Sequence, residues 1–148
     1  MKWINHRMVT GAVVYAVTEN LVWTAAAIVG SVWPDKSEGM PNKRGWQKRH
    51  RGISHWPLLY AALMLFVWLM PFNLVLDENF NLRLLLLFFF LGALMHIAED
   101  ALCGKVPVLT PKRKHGLRFF YVGTAREYVF SVGIIVAVYL IKFRFFSI

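Results

Sequence analysis

The chain has 148 residues, room for one ordinary domain. Hydrophobic residues make up 57% and charged residues only 17%, so disorder and a coiled coil are excluded, and a soluble globule of this size lacks the interior to bury so much apolar surface. The single Cys103 excludes a disulfide scaffold, and a net charge of +9 in a membrane chain points first to loop topology and anionic lipid.

Four apolar stretches follow one another. The first runs Met8 to Trp33 and is interrupted at Thr18-Glu19-Asn20. The second runs from Pro57 to about Leu76, with Pro71 and Asn73 inside it. The third runs Leu82 to Ala98, and the fourth from about Tyr128 to Ile141, lengthening toward Ile148 if Lys142 and Arg144 snorkel. Each approaches the ~20 residues that cross a ~30 Å hydrocarbon layer. The expected fold is all-α: a polytopic helical membrane protein forming one domain over residues 1–148. It has three full spans plus an N-terminal re-entrant hairpin or a fourth span. A cleaved leader is disfavoured, because Glu19 and Asn20 break the apolar run and apolar sequence continues beyond them.

The basic residues cluster. Lys36, Lys43, Arg44, Lys48, Arg49 and Arg51 lie between the first two stretches, and Lys105, Lys112, Arg113, Lys114, Arg118 and Arg126 between the last two. Only Lys2, Arg7, Arg83, Lys142 and Arg144 lie elsewhere. Loops at about 34–56 and 99–126 are therefore expected on the cytoplasmic side, and anionic lipid headgroups are the expected partners. Nucleic acid is not expected, although Trp46 between Arg44 and Lys48 is a candidate stacking residue.

The polar residues at the ends of these stretches need a reason, since acids and histidines are poor snorkelers. His96 and Asp100 are four apart, so on a helix they share a face. They can share a metal ion, or simply meet water at a helix end. His50 and His55 flank a bend allowed by Gly52, just before Pro57, a residue suited to a helix's first turn. They are a site or incidental histidines of a basic loop. Asp35 follows Pro34 where the first stretch ends, and Glu127 begins the fourth. If the spans alternate, Asp35, His50, His55, His96, Asp100 and Glu127 share one membrane face. His115, in a run of lysine and arginine, reads as surface. His6 joins that face only if the chain turns at Glu19-Asn20, because one straight helix would carry it ~43 Å from Asp35. A polar pair in mid-bilayer is costly, which favours the turn.

Asn5-His6-Arg7, Pro34-Asp35, His50-Arg51-Gly52-Ile53-Ser54-His55, and His96-x-x-x-Asp100 followed by Gly104-Lys105-Val106-Pro107 and Pro111 resemble the YdjM-like family. Its members are described as inner-membrane-bound metal-dependent hydrolases. The resemblance spans roughly residues 3–130, with the motifs in the family's order. More distantly, the His and Asp pattern is similar to the zinc-dependent phospholipase C and P1-type nuclease group. Two positions depart from the family: Lys36-Ser37-Glu38 replaces an acid and a histidine after Asp35, and Cys103 stands where the family tends to have Thr.

The resemblance implies a multi-pass protein of a bacterial-type inner membrane with a metal site at the cytoplasmic interface. The candidate ligands are His6, Asp35, His50, His55, His96 and Asp100. The expected cofactor is a divalent metal ion, zinc first and manganese second. Arg51 and Arg126 are candidate phosphate-binding residues in catalysis, and Glu127 a candidate ligand or proton acceptor. The expected activity is hydrolysis of a phosphoester such as a phospholipid. The alternative is a non-enzymatic membrane scaffold that binds a partner through its basic loops and keeps only a degenerate metal site.

Overall fold

The computed structural model describes residues 1–39, 51–71, 75–77 and 80–146. Helix α1 (Trp3–Thr18) ends where the polar interruption was read. Thr18 turns its hydroxyl back to the Val14 carbonyl, and Glu19 takes a left-handed conformation with φ 52°. Asn20 then caps α2 (Leu21–Gly30), its side-chain oxygen accepting from the amides of Val22 and Trp23. The chain thus turns at Glu19-Asn20, and α1 packs antiparallel on α2, closing a helical hairpin. Its tip is tied by an ion pair between Glu19 and Lys142.

Pro34 sits in the first turn of the short α3 (Trp33–Ser37), and a 3-10 turn at Ile53–His55 leads to α4 (Pro57–Leu69). Helix α4 is 13 residues long and stops before Pro71. Proline has no amide hydrogen to donate and disfavours helical backbone in the residue before it; Met70 is accordingly extended, with ψ 135°. The second apolar stretch therefore yields a helix shorter than expected. Arg83 reaches back to the Met70 carbonyl and ties this end to the next helix.

A small antiparallel pair, β1 (Val75–Asp77) with β2 (Phe80–Asn81), precedes α5 (Leu82–Cys103). Asn81 caps α5 by accepting from the Leu84 amide. A second pair, β3 (Val106–Pro107) with β4 (Lys114–His115), folds over the C-terminal end of α5, and α6 (Ala125–Phe146) completes the chain. The exposed His115 lies in β4, away from the buried histidines.

The structure is all-α apart from these two short pairs. Among the described residues one helix, α5, is long and apolar enough to cross a membrane; α2 and α4 are apolar but shorter. Three full spans are not shown by these lengths, since α6 has the length but carries Arg126, Glu127, Lys142 and Arg144.

Helix α5 is the centre, with α2 on one side and α4 on the other; α1 packs on α2 and carries α6 on its far side. Two glycines set the α2–α5 distance. A β-carbon on Gly30 would lie 1.9 Å from the Phe89 carbonyl oxygen, and one on Gly92 2.0 Å from that of Ala27. Backbone-to-backbone packing of this kind suits a lipid setting, where apolar burial does little to hold helices together. Tyr60, Ala93, Ile97 and Val106 form the core where α4 meets α5.

Candidate metal centre

The last turns of α5 carry His96 and Asp100 one above the other, both buried. The start of α3 brings Asp35 to them, and the 3-10 turn ahead of Pro57 brings His55. One ligand atom from each of Asp35, His55, His96 and Asp100 lies within 4.8 Å of the others. His55 Nε2 is 3.2 Å from Asp35 Oδ1 and 3.6 Å from Asp100 Oδ2. His96 Nε2 is 3.7 Å from Asp35 Oδ1 and 3.9 Å from Asp100 Oδ2.

His6 comes back to this cluster because α1 and α2 form a hairpin. Its ring stacks on His96 with centroids 3.9 Å apart, and its Nε2 is 3.4 Å from Asp100 Oδ1. Asp100 thus presents one oxygen to His6 and the other to His55 and His96. The Met1 amine also lies against Asp100 Oδ1, and is 3.2 Å from Cys103 Sγ.

The outer nitrogens of the three rings explain their orientation. His96 Nδ1 is 2.6 Å from the Ser31 carbonyl oxygen, which can only accept, so that nitrogen carries the proton. His6 Nδ1 is 2.6 Å from Glu99 Oε2, and His55 Nδ1 is 3.1 Å from Glu38 Oε1. With Nδ1 protonated, a neutral imidazole turns its Nε2 lone pair inward. The Nε2 atoms of His55 and His96 then face each other at 3.2 Å, an arrangement that calls for a proton or a cation between them. Neither His6 Nε2 nor Asp35 Oδ1, both buried, makes a hydrogen bond.

Two imidazoles and two carboxylates are the donor set of a zinc-like first-row ion, and acceptors behind ligating histidines are their usual support. The residues present fit a divalent metal. The electrostatics favour a charged Asp35: burial disfavours its anion, but the facing His55 and His96 rings outweigh it and hold its carboxyl well below the usual range. Burial likewise opposes the His55 cation, and Asp35 and Glu38 outweigh it, raising its pKa.

Arg51 leans on the same cluster. Its Nε is 2.9 Å from Asp100 Oδ2, and its guanidinium lies across Gly104, where a β-carbon would come within 1.8 Å of Nη1. Arg51 has φ 57°, and its amide donates to Glu38 Oε1 at 2.9 Å. The same carboxylate accepts from the Ser54 hydroxyl, so Glu38 holds the whole 51–55 turn.

Of the residues singled out in the sequence, the structure brings together His6, Asp35, Arg51, His55, His96 and Asp100. His50 lies outside the described residues. Glu127 lies outside that group. Its carboxylate accepts from the Lys2 and Gly123 amides and from the Asn5 side chain, fastening the start of α1 to the start of α6. Arg126 is exposed beside Phe119, Phe130 and Val129 rather than at the cluster, so it is not positioned to act there. Two residues were missed. Glu38 looked only like a departure from a motif. Glu99 was passed over for its neighbour Asp100, although a buried His6 needs an acceptor behind it.

No curated protein and no solved structure matches the chain. A family model does, that of the YdjM inner membrane protein, and it matches residues 1–147. With essentially the whole sequence covered, the chain belongs to the YdjM inner membrane protein family.

Proposed function

We propose that this protein is a membrane-embedded, metal-dependent hydrolase acting on an anionic phosphoester at the cytoplasmic surface. The observation that carries the reading is the set of three inward-facing imidazole Nε2 atoms around Asp100, each ring held from behind by Glu99, Glu38 or the Ser31 carbonyl. A scaffold with a decayed site has no need for that second layer.

Asp35, His55, His96 and Asp100 would hold the ion, with His6 on the other oxygen of Asp100. When bound, a cation of this kind lowers the pKa of water and polarises a phosphoryl oxygen. Zinc suits the donors best, manganese second. Arg51 is the one arginine against the cluster among the described residues, and its fork geometry suits a phosphate oxygen. Beside His55 opens a groove of roughly 640 Å³ lined by Ser37, Glu38, Gly52, Ser54, Lys112 and Lys114, polar and basic enough for an anionic group.

In this reading α5 crosses the bilayer, and α6 crosses with Lys142 and Arg144 snorkelling at its far end. The shorter α4 completes the bundle and the α1–α2 hairpin enters and returns. The outer face of α6, with Val129, Val132, Val136 and Leu140, then lies against lipid. The two basic loops are cytoplasmic by the positive-inside rule.

The test is metal content by elemental mass spectrometry on detergent-purified protein, beside His96→Ala and Asp100→Ala, followed by a phosphoesterase screen. Stoichiometric zinc in the parent, lost in both variants together with phosphoester cleavage, is the expected result. A parent that stays metal-free after reconstitution with zinc and manganese would overturn the reading in favour of the scaffold.

A further inference from the structure

Between Asp100 and Glu127 the chain holds no acid but carries Lys105, Lys112, Arg113, Lys114, Arg118 and Arg126. The same segment exposes large apolar side chains: Leu109 is 77% exposed, Leu117 65%, Phe119 61% and Tyr121 81%. Lysines and arginines need no such company in water, and four large apolar groups in the open cost stability there.

The position of this segment explains the mixture. It begins two residues after Cys103, the last residue of the helix long and apolar enough to cross a membrane. It is pinned to that helix end by two backbone hydrogen bonds, Leu117 amide to Ala101 carbonyl at 2.8 Å and Phe119 amide to Leu102 carbonyl at 2.7 Å. Gly116 permits this approach, because a β-carbon there would lie 1.7 Å from the Gly104 carbonyl oxygen. Trp3 at the start of α1, Trp33 at the start of α3 and Trp56 just before α4 lie at the same end of the bundle. Tryptophans gather where acyl chains meet headgroups. The segment is therefore held at the level of the membrane surface.

We propose that residues 105–124 form a docking surface for an anionic lipid leaflet. Leu109, Leu117, Phe119 and Tyr121 enter among the headgroups, while Lys112, Arg113 and Arg118 meet lipid phosphates. The docking stands on its own. Its consequence for substrate rests on the hydrolase reading: Lys112 also lines the groove beside His55, so a headgroup bound there is delivered from the leaflet to the candidate metal centre.

The test uses the full chain in nanodiscs of phosphatidylglycerol and phosphatidylcholine, spin-labelled at Leu109→Cys or Tyr121→Cys, with Lys36→Cys as a water-exposed reference. Cys103 is buried, and the unlabelled-site parent reports any labelling of it. The expected result is a several-fold drop in accessibility to nickel-EDDA at positions 109 and 121 relative to 36, with accessibility to oxygen retained. Joint replacement Lys112→Glu, Arg113→Glu, Arg118→Glu should reverse that drop, while an unchanged thermal melting temperature in detergent confirms that the fold is intact. Nickel accessibility equal to that of the reference would overturn the proposal. Protection from both reagents would also overturn it, since that marks a surface covered by protein. Labels immersed in lipid on a chain that binds no zinc would keep the docking surface and remove the enzyme.

Discussion

His96 Nδ1 lies 2.6 Å from the carbonyl oxygen of Ser31, a residue 65 positions earlier in the chain. This contact fixes which nitrogen of His96 faces Asp35 and Asp100, and no side chain of Ser31 is needed for it. What it needs is the end of α2 held close to α5, and that closeness is set by Gly30 and Gly92. The orientation of a candidate ligand is thus decided by helix packing one turn away.

Gly92→Ala tests this dependence. Its β-carbon would meet the Ala27 carbonyl oxygen at 2.0 Å, and backbone cannot move aside as a side chain can. Overpacking of this kind costs about 1–3 kcal/mol, and the variant should bind zinc more weakly because Ser31 is pushed away from His96. Thermal denaturation in detergent and zinc titration on the same sample check both effects. Unchanged melting and unchanged affinity would show that the close approach is dispensable.

Glu38 should matter for metal affinity although it is not among the four clustered ligands. Loss of a carboxylate behind a ligating histidine typically costs about 10–100-fold in affinity. Glu38→Ala should fall in that range, since His55 Nδ1, the Arg51 amide and the Ser54 hydroxyl all lose their acceptor. Glu38→Gln keeps one accepting oxygen and should lose less. Competition with a zinc-binding dye measures both, and equal loss in the two variants would show that charge rather than hydrogen bonding is what Glu38 supplies.

The legible part of this site came from local spacing and from polar residues in the wrong place. His96 and Asp100 could be paired from a four-residue interval, and Glu19-Asn20 marked the turn that returns His6. Pro71 was equally readable as the stop of α4, but the apolar run beyond it masked that signal. Glu38 and Glu99 were not readable, because their partners lie in other elements: His55 is 17 residues from Glu38 and His6 is 93 from Glu99. Only the folded chain states which acid stands behind which ring. Glu127, an acid near a membrane face that reads as chemical in the sequence, is in the structure a clasp between the starts of α1 and α6.

That clasp makes its own prediction. Removing the carboxylate in Glu127→Ala leaves the Lys2 and Gly123 amides and the Asn5 side chain without their acceptor. Of these the Asn5 side chain is a buried donor, and orphaning one costs about 1–3 kcal/mol, so the variant should melt earlier than the parent. Zinc should still bind to the folded fraction, because none of Asp35, His55, His96 and Asp100 touches Glu127. A variant that melts like the parent but binds no zinc would place Glu127 in the metal site after all.

Arg51 and Gly104 should behave as one unit. The guanidinium reaches Asp100 only by lying where a β-carbon of residue 104 would be, 1.8 Å from Nη1. Gly104→Ala should therefore reproduce the phenotype of Arg51→Ala: zinc retained, phosphoester turnover reduced. Arg51→Lys should not rescue it, since an ammonium lacks the fork that meets Asp100 and a phosphate oxygen together. The double variant should be no worse than either single one, because each removes the same contact. Turnover and zinc content measured across the four proteins decide the matter, and additive losses in the double variant would mean that Gly104 and Arg51 act separately.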